Sequence, residues 1–79
     1  MTLSAVIQRE DDMFVALCPE LDIVSQGYTT DEAYANLQEA VELLLEDISK
    51  EELTRRLANP VMVRHFEVAI QTKSLSFRA

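Results

Sequence analysis

The chain has one glycine, one cysteine, two prolines and no tryptophan among its 79 residues. A lone cysteine allows no internal disulfide. With one histidine as its companion it forms no Cys/His cluster for a structural metal. Domains this small often rely on such staples or on oligomerisation, so self-association, as a dimer or tetramer, is expected. Basic residues are also scarce, with 7 Lys and Arg against 14 Asp and Glu, for a net charge of −7 and a pI near 4.5. This balance argues against direct nucleic-acid binding, which calls for a basic face. It suits a basic protein partner, and it serves solubility equally well. No apolar run approaches the ~20 residues of a membrane span. The N-terminal stretch is polar, without the apolar core of a secretory signal, so a cytoplasmic location is expected.

What is present reads as one small domain over residues 1–70 and a polar tail over 71–79. A chain of this length buries only ~60% of its unfolded surface, enough for one sheet and one or two helices. "TLSAVIQR" (2–9) alternates Leu3, Ala5 and Ile7 on one face, as a strand does. "EDD" (10–12) is a polar turn. "MFVALC" (13–18) is apolar throughout, the pattern of a strand covered on both faces. Pro19 cannot donate to a sheet ladder and ends it. "DIVSQG" (22–27) reads as a third strand, and Gly27 as a turn residue with backbone freedom.

The clearest element follows. Thr29 can cap a helix, with Glu32 completing a capping box, and Asp31 and Glu32 in the first turn suit the helix dipole. Ala33, Leu37, Ala40, Val41, Leu44, Leu45 and Ile48 form a broad apolar stripe. Asp31, Glu32, Glu39, Glu42 and Glu46 carry five acids with no base among them, although like charges at four-residue spacing repel. A solvated face accounts for them, and so does a docking face for a basic partner. Ser49 with Glu52 marks a second cap, and Leu53 and Leu57 a weak stripe that Pro60 stops. "VMVRHFEVAI" (61–70) returns to period two and is expected to be a fourth strand, parallel to a strand of the hairpin after the helical crossover. "QTKSLSFRA" (71–79) is a polar tail prone to fraying. The fold class is α+β, a three- to four-stranded sheet with one main helix on one face, in the order β-β-β-α-(α)-β.

Other residues of chemical interest have plainer readings. Cys18 lies in an apolar run and is a buried structural thiol rather than a nucleophile. His65, beside Arg64 and Phe66, is a surface or interface histidine rather than a general base. Tyr28 and Tyr34 are packing residues with hydroxyls at the surface. Glu20 and Asp22, two apart after Pro19, pose the question of a carboxylate pair.

"FVALCPELDIVSQGYTTDEAYANLQEAVELLLE" (14–46) resembles the HicB family of toxin–antitoxin proteins. The likeness rests on the apolar strand into "CPEL", the "SQG" before the cap, "T-x-x-EA", and "ANL-x-EA" opening the helix. It covers residues 3–47 well and "HFEVAI" loosely. It implies a partial ribonuclease-H-like fold and an antitoxin that blocks a small basic HicA-type toxin, whose double-stranded-RNA-binding-like fold carries an mRNA-cleaving histidine. Many HicB proteins add a C-terminal DNA-binding unit; none follows the last expected strand, so a short form without direct DNA binding is expected. A ribonuclease-H-type enzyme needs several carboxylates converging on two divalent ions, one normally in the first strand. "TLSAVIQR" has none, and Glu20 with Asp22 makes a poor Mg²⁺ site. No catalytic activity, metal or cofactor is expected. The five helix acids are the candidate partner contacts. The alternative is a solitary homo-oligomeric module of regulatory or ligand-binding role.

Overall fold

A computed structural model describes residues 1–70; the polar tail expected over 71–79 lies outside them. The order is β1 (Val6–Glu10), β2 (Met13–Cys18), β3 (Ile23–Gly27), α1 (Thr30–Asp47) and α2 (Lys50–Leu57). The strands form one antiparallel sheet in the order β1-β2-β3. Two tight connections set this meander. Asp11, between β1 and β2, and Asp22, before β3, both have φ of 55°. That left-handed region is tolerated by aspartate better than by most side chains. Among the described residues no helix is long and apolar enough to cross a membrane.

The register places Ile7 opposite Ala16 and Ala16 opposite Ser25, so these three share a face with Phe14, Cys18 and Ile23. Against that face lies α1, which contacts β3 and β2 far more than β1. Ala16, Cys18, Leu21, Ala33 and Leu37 are buried, with Ile7, Phe14, Val41, Leu44 and Leu53 among the half-buried residues packed around them. The helix stripe predicted from spacing therefore does face the sheet, although only its first two members are fully buried.

The second strand departs from its expectation of two covered faces. Ala16 and Cys18 are buried while Val15 and Leu17 are half-buried. Leu17 stands between Val6 and Val24 in one cross-strand row, and those two are 44% and 59% exposed. Among the described residues this second face stays partly open.

Both caps form where the sequence places them. Thr29 Oγ1 accepts from the Glu32 N–H at 3.0 Å, and Ser49 Oγ from the Glu52 N–H at 3.1 Å. Each satisfies an orphan donor of a helix start. Gly27 corrects its expectation, because its φ is not positive. What it provides is space. A Cβ there would lie 2.6 Å from the Ala33 nitrogen and 2.9 Å from the Glu32 carbonyl carbon. The absent side chain lets the helix start sit directly on the end of β3.

The expected fourth strand is also corrected. Among the described residues, 61–70 pair with no strand, and they are exposed throughout. Phe66 is 85% exposed and Met62 79%. The radius of gyration is 16.7 Å, against about 12 Å for a compact chain of this length. The pattern of a strand is present, but a strand needs a neighbour for its backbone groups, and the described residues supply none here.

Candidate functional site

Two groups of residues were singled out for chemistry, and the structure separates them. Glu20 and Asp22 have different tasks. Glu20 accepts the Ser4 N–H at 2.9 Å and the Cys18 thiol at 3.5 Å. The Ser4 N–H foremost holds its carboxyl below the usual range, because a donor stabilises the charged form. Its task is to pin the N-terminal segment across the end of the sheet. Asp22 is the left-handed residue that turns the chain into β3. Among the described residues no three acids, histidines or cysteines group as metal ligands. Cys18 is 1% exposed, and burial pushes its thiol up. It lacks the electropositive, accessible setting of a reactive cysteine.

The α1 acids do come together. At 3.6 residues per turn, Asp31, Glu42, Glu46, Glu39 and Glu32 fall within an arc of about 100°. The buried and half-buried residues Ala33, Leu37, Val41, Leu44 and Ile48 lie on the opposite side. All five acids are exposed. The salt bridges among the described residues both belong to α2, where Glu52 binds Arg55 and Arg56. The face is thus a continuous strip of unneutralised carboxylate, with Leu43, 56% exposed, at its rim. Asp31 and Glu32 favour the helix start. The last turn holds no base, so Glu46 and Asp47 stand where the helix dipole disfavours them.

Two polar contacts that fix the helices were not legible beforehand. Asn36 donates through Nδ2 to the Gln26 carbonyl at 2.8 Å, tying α1 to β3. Arg56 donates through Nη1 to the Leu21 carbonyl at 2.6 Å, tying α2 to the β2–β3 link. The "ANL" spacing marked Asn36 without assigning it a task. Arg56 carried no signal, since its partner is 35 residues away.

Fold and site together describe a small α+β domain. A three-stranded meander carries one long helix, whose outward face bears charge of one sign. The chain is 34% identical over 70 residues to a UPF0150 protein of Helicobacter pylori (strain J99 / ATCC 700824), a match that covers 87% of this chain and 97% of that protein. It belongs to the UPF0150 family. No protein-family model and no solved structure matches it.

Proposed function

We propose that this protein is a HicB-like antitoxin. Its acidic α1 face docks on a small basic HicA-type toxin and blocks the toxin's mRNA-cleaving site. The observation that carries the reading is the strip of Asp31, Glu32, Glu39, Glu42 and Glu46, exposed, unpaired within the described residues and opposite the core. Membership of UPF0150, a family related to HicB antitoxins, supports it. In this reading the protein is a binding module and not a catalyst, working in the cytoplasm without a cofactor or direct nucleic-acid contact. Complementary fields of this kind speed encounter and select the partner.

The test has two parts. The tagged protein is purified from its native host and co-purifying chains are identified by mass spectrometry. A small basic protein whose RNA cleavage stops on addition of this chain is the expected result. The double variant Glu39→Lys/Glu42→Lys then slows association about tenfold or more at low salt, with the difference shrinking as salt rises. Unchanged association rates would place docking elsewhere. Recovery of its own chain alone, under conditions that preserve complexes, would favour a solitary oligomeric module.

A further inference from the structure

We propose that residues 61–70 form the fourth strand of a second copy's sheet, each copy laying this segment along the open β1 edge of the other. The inference is independent of the toxin reading. It starts from a mismatch between pattern and environment. Met62, Phe66, Val68 and Ile70 alternate on one side of the segment, and all four are more than half exposed. Soluble chains seldom leave such a run uncovered without a partner for it. Among the described residues its backbone groups pair with no strand, and an extended segment of this kind binds by adding to a sheet edge.

The edge that fits is β1. The sheet has two edges, β1 and β3. At β3 the helix sits closest, and the Asn36 side chain already occupies the Gln26 carbonyl. At β1 the helix contacts are fewest, and a cleft of about 230 Å³ opens between the start of the chain and α1. Leu3, Cys18, Tyr34, Leu37 and Val41 line it, with Glu42 at its rim. A strand beside β1 turns one side toward this cleft. The apolar side of 61–70 matches it in character, and the one charge on that side, Arg64, is opposite in sign to Glu42. A second copy is the occupant, because the chain carries this segment away from its own body, with a radius of gyration of 16.7 Å. A core of five buried apolar side chains among the described residues also leaves a domain of this size in need of further burial.

The test uses the full chain. Sedimentation at micromolar concentration is expected to give a dimer or a higher even oligomer. Hydrogen exchange across a dilution series is expected to show amides of β1 and of 61–70 gaining protection together as the oligomer forms. Phe66→Asp, at a position exposed in the single chain, is expected to weaken association by roughly 10²–10³-fold, since the side chain is buried twice in a two-fold pair. Circular dichroism confirms that the variant stays folded, and Val68→Asp provides a second reading. A monomer at micromolar concentration would overturn the proposal. So would protection of 61–70 without dependence on concentration, which would place the strand in its own chain. Protection gained at β3 instead of β1, or an oligomer unaffected by both substitutions, would overturn it equally.

Discussion

Replacing Gly27 with alanine tests the packing of helix on sheet at its tightest point. The added Cβ would meet the Ala33 nitrogen at 2.6 Å, and the Glu32 carbonyl carbon and Cβ each at 2.9 Å. Two of the three atoms are helix backbone, so no side-chain rotation relieves the conflict and α1 has to move. Forcing a methyl into a packed site costs about 1–3 kcal/mol. Alanine also narrows the unfolded ensemble, which returns about 0.4–1 kcal/mol. The φ of Gly27 is not positive, so no left-handed strain enters. The net loss is about 1–2 kcal/mol, out of a total on the order of 4–12 kcal/mol for a chain this short. Thermal unfolding followed by circular dichroism should show Tm falling by about 5–15 °C. Glu32→Ala in the same chain should not restore it, because both backbone contacts remain. A Tm for Gly27→Ala equal to or above that of the parent would refute the close seating of α1 on β3.

Two further outcomes follow from the turns and the N-terminal segment. Asp22→Gly should leave stability within about 0.5 kcal/mol, whereas Asp22→Val should cost about 1–2 kcal/mol, because a β-branched residue resists the 55° φ; urea midpoints decide. Glu20→Gln should lower stability at pH 7 by about 0.5–1 kcal/mol, the low end for a charged acceptor because solvent screens a half-buried side chain. Glu20 has a folded pKa below its unfolded value, so its contribution is present above the unfolded pKa and disappears as pH falls through the folded one. The gap between parent and variant should therefore close in strongly acidic buffer, and a gap that is constant from pH 7 to pH 2.5 would show that the charge plays no part.

The features legible in the sequence are those set by near neighbours along the chain. Thr29 with Glu32 and Ser49 with Glu52 are three residues apart, so both helix starts could be read directly. The alternation in β1 and the Pro19 stop likewise needed only local pattern, although β1 begins at Val6 rather than Thr2. Gly27 shows the limit of such reading. A glycine's freedom in φ and its lack of a side chain leave the same letter, and only the helix above the strand tells them apart. Glu20 is pinned to Ser4 across 16 positions, a relation that no spacing rule contains. Residues 61–70 carry a strand pattern without a paired strand among the described residues for a related reason. Period two describes the side chains of a strand and says nothing about which backbone lies beside it. The acidic face was legible as charge, but its continuity appears only when the helix is turned to put Ala33 and Leu37 inward.

That continuity is informative because the same chain treats its other helix differently. In α2, Glu52 is held by Arg55 and Arg56, the two bases of its last turn, where they complement the dipole. In α1 the Glu42–Glu46 pair repels at four-residue spacing, and the last turn carries Glu46 and Asp47 with no base. Each such arrangement costs on the order of 0.2–1 kcal/mol, and together they remove about 1–2 kcal/mol from a helix that most of the core depends on. Solubility does not require this placement, since the same acids interleaved with lysines or moved to the first turn would keep the surface charged at less cost to the helix. In the proposed reading, a basic surface docked along the strip would neutralise the repulsion and the unfavourable end charge together, so α1 would gain most from a partner of opposite charge.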